Sequence, residues 1–258
     1  MTISWEPTGV LMFFLVFLRL SGFFLPLPFF SRPYCPPSVQ VLLSLILAAL
    51  LAPGASLASE VFADDLIFGA LVAFGLRDFL VGFLIGFAAL LVIMAAQMAG
   101  QYLDFQMGFF TAAQIDPRSG ERVPLTGNFL YVVALVLFLG INGHHHLLNI
   151  LNESLELVPP GTRLSASGVA GLFPFMSWMF LASFRISVPI LAVLFVATVA
   201  LGIVGRTMPQ LNVFVLGIPL RILLGMLVLL AIVPLYVTYF QTLISDQLGA
   251  LLRLLEAW

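Results

Sequence analysis

The amino-acid sequence predicts an all-α integral membrane protein whose helices are short, broken and arranged in hairpins. Three observations predict it. Of 258 residues, 62% are hydrophobic and only 9% charged, and the mean hydropathy is +1.15, well outside the range of a soluble domain. Apolar runs recur along the chain, and several are shorter than the ~20 residues that a straight bilayer crossing needs. The 16 prolines and 21 glycines fall inside these runs as well as between them, so several helices must be kinked or interrupted.

The first apolar helix covers residues 10–25 and carries Arg19 near its middle. An arginine at a bilayer centre costs ~2.5–3.5 kcal/mol on insertion scales, so its guanidinium is expected to meet an acidic or carbonyl partner inside protein. Pro26, Pro28, Pro33, Pro36 and Pro37 then exclude continuous helix and leave a stiff connector. Residues 39–52 are short for a span and read as a half-length or re-entrant helix. A small-residue, acidic loop over 53–65 follows, and helix resumes near Leu66. Arg77 and Asp78 interrupt the apolar pattern; no role is assigned to Asp78. Gly82 and Gly86, four apart, place bare backbone on one face where another helix can approach closely.

The polarity of the chain is concentrated next. One helix is expected over 79–110, ~45 Å long at ~1.5 Å per residue. Gln97, Gln101 and Asp104 fall on one stripe, together with Gly100 and Gly108. Lipid cannot solvate that stripe, so it must face water, other protein or a pore. The glycine faces at Gly82, Gly86, Gly100 and Gly108 are expected to need a neighbouring subunit to cover them. Beyond the stripe, Met107, Gly108, Phe109, Phe110, Thr111, Ala112 and Ala113 carry no charge. An apolar loop of this kind can close a pore by packing and by excluding water. Asp116-Pro117-Arg118-Ser119-Gly120 is a turn that reverses the chain.

Residues 128–141 form another short span, closed by Asn142-Gly143-His144 with the cap chemistry of asparagine and glycine. The three consecutive histidines at 144–146 are not a metal site, because neighbours on a helix point ~100° apart and no carboxylate or cysteine stands at ligand spacing. Residues 147–158 are an amphipathic helix with Glu153 and Glu156 on its wet side, stopped by Pro159-Pro160-Gly161. Residues 173–184 and 186–204 read as one long helix kinked at Pro189. A hairpin turn at Pro209, Gln210, Asn212 and Phe214 leads into 222–240, kinked at Pro234. The tail over 242–258 gathers Leu243, Ile244, Leu248, Leu251, Leu252 and Leu255 on half its circumference, as suits docking on a partner.

Two patterns in the polar region, Gln97-x-Ala99-Gly100 and Asp104-x-Gln106-x-Gly108-Phe109, together with Asp116-Pro117, resemble the FliR family, the R subunit of the flagellar type III export gate. That family is related to the T subunit of injectisome export apparatus. The Pro209-Gln210-x-Asn212-x-Phe214 turn and the Asn142-Gly143-His144 corner resemble it too, so the likeness covers nearly the whole chain. It implies a non-catalytic subunit of a protein-conducting gate in the bacterial inner membrane, at the flagellar basal body. Residues 1–165 would be P-subunit-like and 166–258 a Q-subunit-like helical hairpin. The partners implied are P and Q subunits in a hetero-oligomeric ring, the B subunit at its base, and exported flagellar proteins as transient cargo. The loop from Gly108 to Asp116 would be the plug of the closed channel, and Asn142-Gly143-His144 with Asp116-Pro117 favours the flagellar over the injectisome branch.

Other classes fit less well. A secondary transporter or proton channel also uses broken helices with intramembrane charges such as Asp104 and Arg19, but no repeat relates the two halves. An intramembrane enzyme would need a metal motif such as HExxH or a nucleophile elbow such as Gly-x-Ser-x-Gly, and neither occurs. No cofactor is implied. A net charge of −2 with no basic run gives no footing for nucleic acid, and the single Cys35 excludes an internal disulfide. The N-terminus lacks the positive n-region and small-x-small cleavage site of a secretory signal. Counting arginines gives Arg32, Arg118, Arg122, Arg206 and Arg221 on one side and Arg77, Arg163, Arg185 and Arg253 on the other, too even a split to set orientation.

Overall fold

Helix dominates because 62% of the residues are hydrophobic and fall in long runs, and in hydrocarbon only a helix satisfies each backbone N–H and C=O within its own segment. The computed structural model describes residues 7–30, 36–58, 68–109, 124–162, 172–208 and 213–256, and all statements below concern them. Among the described residues there are seven α-helices and no strand: α1 (Pro7–Phe24), α2 (Pro37–Leu51), α3 (Phe68–Met107), α4 (Leu125–Gly140), α5 (Gly143–Leu157), α6 (Leu172–Thr207) and α7 (Val213–Glu256). The protein is an all-α integral membrane protein. Four helical stretches, Pro37–Gly54, Gly69–Met107, Phe173–Thr207 and Val215–Glu256, are long and apolar enough to cross a bilayer, and the broken pair α4 and α5 would make a fifth.

Local chemistry sets the ends of these helices. Pro36 is extended at φ −68°, ψ 143°, and Pro37 opens α2, where a missing N–H costs nothing. Gly108 at φ 90° stops α3, its N–H donating to the Phe105 carbonyl at 3.2 Å, so the helix ends at Met107 and not at Phe110 as the apolar run predicts. Its start also differs from the expected 79. The helix passes through Arg77 and Asp78 without a break and begins at Phe68, because both side chains are buried and partnered rather than solvated at a helix end. Asn142 is left-handed at φ 57°, ψ 33°. It closes α4 and at the same time opens α5, so the histidines lie on the first turn of α5 and that helix starts at Gly143, ahead of the expected 147.

Leu172–Thr207 is one helix with Pro189 inside it, as the sequence predicts. Val213–Glu256 is also one helix, with Pro219 and Pro234 inside. This corrects the expectation of a separate tail after Phe240: Gln241 and Thr242 are polar but not helix breakers, so the chain continues through them. The turn residues Pro209, Gln210 and Asn212 lie outside the described residues, as does the Phe214 side chain.

The chain divides into two compact units, each assembled from separated segments: Met1–Leu91, Asn142–Met176 and Ile244–Trp258 in unit 1, Val92–Ile141 and Ser177–Leu243 in unit 2. In unit 1, α1 lies on the first half of α3 through glycine. A Cβ on Gly82 would overlap the Arg19 carbonyl, one on Gly22 the Phe79 carbonyl, and one on Gly86 would come within 2.7 Å of Pro26 Cγ. The glycine face is therefore covered within this chain, where the sequence left it for another subunit. The tail behaves likewise: Leu251 and Leu255 are 1% exposed, in the same unit as α1. In unit 2, Ala95, Ala99, Leu103 and Met107 of α3 share a core with Leu130 of α4, Ala182, Ile186 and Ile190 of α6 and Leu229 of α7.

Candidate functional site

Charged side chains inside apolar helices define the places where this protein departs from a simple packing of hydrocarbon. In unit 1 the centre is Arg19, fully buried on α1. Its Nε lies 3.0 Å from Asp78 Oδ1, and its Nη2 makes an ion pair with the same carboxylate oxygen. Nη1 donates to the Ser154 carbonyl at 2.7 Å and Nη2 to the Val158 carbonyl at 2.8 Å. Ser154 and Val158 belong to the last turn and cap of α5, where the dipole is negative; the Ser154 carbonyl already accepts the Val158 N–H at 3.1 Å, and Arg19 adds a second donor to it. Arg19 is thus a C-terminal cap for α5 supplied by α1. Its planar fork can reach a carboxylate and two carbonyls at once, as a lysine ammonium could not.

Asp78, on α3, uses its other oxygen to accept the Gly161 N–H at 3.1 Å. Gly161 is at φ 86°, the conformation that ends the Pro159-Pro160-Gly161 turn. Arg77 Nη1 reaches the Pro159 carbonyl at 3.3 Å, and the Pro160 carbonyl accepts the Ala58 N–H at 3.0 Å. One ion pair therefore ties α1, α3, the end of α5 and the turn behind it. Sequence reasoning passed over Asp78. The signal that could have found it was an adjacent arginine and aspartate within an apolar helix, where a buried carboxylate needs a cation as much as Arg19 needs an anion.

A second clasp holds unit 2. Asp104 is fully buried on α3, and its Oδ1 and Oδ2 accept the N–H groups of Thr126 at 2.9 Å and Gly127 at 3.0 Å. These are first-turn amides of α4, whose preceding residue Pro124 makes no side-chain cap. A carboxylate there satisfies orphan donors and complements the positive helix end. Gly100 makes the approach possible, since a Cβ on it would lie 2.6 Å from Gly127 Cα. Asp104 thus joins the two described stems that flank residues 110–123. Asp104→Ala strands two buried N–H groups at about 1–3 kcal/mol each and is expected to lower the thermal stability of the purified protein, with Asp104→Asn intermediate. Equal melting temperatures for Asp104→Ala and the unsubstituted protein would remove the clasp from the account.

The other expected site residues divide. Gln97 is half-buried and Gln101 exposed, so the stripe is not one continuous buried track, although Gln101 Cγ would sit 3.1 Å from a Cβ on Gly127. The Met107 side chain is buried against Gly225 of α7. Phe109 packs on the edge of the unit 2 core. Phe110, Thr111, Ala112 and Ala113 lie outside the described residues. An apolar crevice in unit 2 is lined by Ala96, Leu130, Ala134, Leu137, Ile186 and Tyr236 and has no charged side chain among them. Among the described residues no three His, Cys, Asp or Glu side chains group as a metal site would require.

What these features define is an all-α membrane protein whose intramembrane charges are spent on joining helices. The family model described as "Bacterial export proteins, family 1" matches residues 10–247. The chain is 36% identical to the flagellar biosynthetic protein FliR of Bacillus subtilis (strain 168) over 84% of each chain. It is 28% identical to the FliR of Escherichia coli (strain K12), over 91% of this chain and 89% of the relative. It is also 24% identical to the surface presentation of antigens protein SpaR of Shigella flexneri, over 83% of this chain and 82% of the relative. The chain belongs to the FliR family of bacterial export proteins. It is a membrane component of a bacterial export apparatus.

Proposed function

We propose that this chain is a structural, non-catalytic subunit of the protein-conducting gate of the flagellar type III secretion system, needed for flagellum assembly, in the inner membrane at the flagellar basal body. The observation that carries the reading is the use made of the buried charges. Asp78 and Asp104 accept hydrogen bonds on both oxygens, from Arg19 and Gly161 and from Thr126 and Gly127. A proton-coupled transporter needs a carboxylate that can lose its partners during the cycle, whereas these hold helix ends in place. Similarity to relatives named as flagellar biosynthetic proteins, at up to 36% identity, supports the flagellar branch.

In this reading residues 1–165 are P-subunit-like and 166–258 Q-subunit-like, and the chain joins copies of P and Q subunits in a ring with the B subunit at its base. Exported flagellar proteins pass through, driven by energy spent on other components. The segment Gly108–Ala113, anchored at Met107, is the plug of the closed channel. Co-expression with P, Q and B subunits is expected to yield one hetero-oligomer that retains this chain through purification. Solute or proton flux through vesicles holding this chain alone would instead establish the transporter. Deleting Phe110 to Ala113 is expected to leave an assembled complex whose membranes leak ions and small dyes; failure of the complex to form would assign the segment to the packing core.

A further inference from the structure

The helix α6 carries a cation on a face that is exposed among the described residues. Arg185 is exposed, and so are Phe184 next to it and Leu181 and Val188 one turn to either side. Among the described residues its guanidinium has no ionic partner. Pro189, one turn later, has no N–H to give to the Arg185 carbonyl, so a strong acceptor stands beside the strong donor. The described carboxylate of the same unit, Asp104, is committed to the amides of Thr126 and Gly127, while Arg206 and Arg221 add to the positive side. Among the described residues this unit therefore presents cations with no uncommitted carboxylate to answer them.

The length of α6 decides what can answer Arg185. Its 36 residues make a rod of ~54 Å at ~1.5 Å per residue. The hydrocarbon core is ~30 Å thick, and even a tilt of ~40° leaves the helix spanning ~41 Å. If the bilayer takes residues 186–205, the uncharged stretch 173–184 lies outside it with Phe180, Leu181 and Phe184 exposed, and water is a poor solvent for that face. If the bilayer lies further toward the N-terminus, the guanidinium enters hydrocarbon, at the cost already given for Arg19. Either placement calls for protein on this face, and at the level of Arg185 that protein must offer an anion.

We propose that the outer face of α6 around Arg185 is a docking surface for an apolar helix of a partner subunit that presents an aspartate or glutamate carboxylate at the level of Arg185. The proposal rests on the reading of the chain as a subunit of a hetero-oligomer and adds the chemistry of one contact. The guanidinium can pair with the carboxylate in a two-bond fork, and the flanking apolar residues exclude water from it.

The full chain, expressed with its partner subunits, carries Arg185→Lys, Arg185→Leu or Arg185→Glu, and both its level in the membrane and its share in the large complex are measured. Lysine is expected to keep most of the incorporation, and glutamate to reduce it at least about tenfold at unchanged membrane level. A photoreactive residue at position 181 is expected to crosslink to an apolar segment of a second subunit that has an aspartate or glutamate within one turn of the attachment point. Changing that carboxylate to arginine should restore the Arg185→Glu chain. Normal incorporation of Arg185→Glu overturns the proposal, as do crosslinks that end only on lipid or on segments without a carboxylate. If Arg185→Glu is degraded, the crosslink in the otherwise unaltered chain decides. Loss of the unaltered chain from the complex would instead count against the gate reading, while the crosslink still reads the docking contact by itself.

Discussion

Arg19→Leu is expected to remove most of this protein from the membrane. The substitution leaves Asp78 buried without its cation, takes the Arg19 donor from the Val158 carbonyl, and leaves the Ser154 carbonyl with the Val158 N–H alone. Breaking a buried ion pair from one side costs about 3–5 kcal/mol, a large share of the ~5–15 kcal/mol that holds a typical fold. Asp78→Leu should be as severe, since it strands the guanidinium and the Gly161 N–H. Arg19→Lys keeps the charge but cannot reach a carboxylate and two carbonyls in one plane, and is expected to fall between. Because most of each single effect is an abandoned charge, the double variant Arg19→Leu/Asp78→Leu should be less damaged than the sum of the two. Membrane levels and melting temperatures in detergent for the four variants complete the cycle. Wild-type values for both Arg19→Leu and Arg19→Lys would show the arginine to be a surface anchor.

Gly82→Leu is expected to separate α1 from α3. What a side chain would meet there is the backbone of Arg19 and Phe23, and backbone cannot step aside as the end of a flexible side chain can. The cost is about 3 kcal/mol, the upper end of ordinary overpacking, and it is compounded because the same contact brings Arg19 to Asp78. Gly202→Ala is the control: nothing lies within 4 Å of a Cβ there, and alanine favours a helix over glycine by about 1 kcal/mol. Protease resistance of the two variants in detergent separates them. Equal resistance would mean that the two helices do not touch through glycine.

The parts of this fold that were legible in the sequence are those set by composition and by periodicity within one element. The apolar runs, the helix running through Pro189, and the expectation that Arg19 seeks a partner follow from the cost of polar groups in hydrocarbon. What could not be read was which groups meet. Arg19 and Asp78 lie 59 residues apart, and Arg19 and Ser154 lie 135 apart. Nothing in a pattern chooses among twelve carboxylates at such separations. Asp104 stood out as polar on a helix face, but its partners are backbone amides, which every residue has and no sequence advertises. The two errors of continuity share a cause. Polar residues within an apolar run, Arg77 and Asp78 in α3 and Gln241 and Thr242 in α7, were read as ends, whereas a buried partner or an exposed flank lets a helix pass straight through them.

The make-up of unit 1 bears on how the protein is made. Its first segment, Met1–Leu91, leaves the ribosome before the other two, and Ile244–Trp258 only after both of them. Until the second segment arrives, Arg19 and Asp78 have each other but not the α5 carbonyls or the Gly161 amide that complete their shell. Until the third arrives, the surfaces that will cover Leu251 and Leu255 stay open. A nascent or truncated chain therefore displays unfinished polar and apolar surface throughout its synthesis, the kind of signal by which membrane chaperones and proteases tell incomplete polypeptides from finished ones. Arrival of the third segment is the event that hides it.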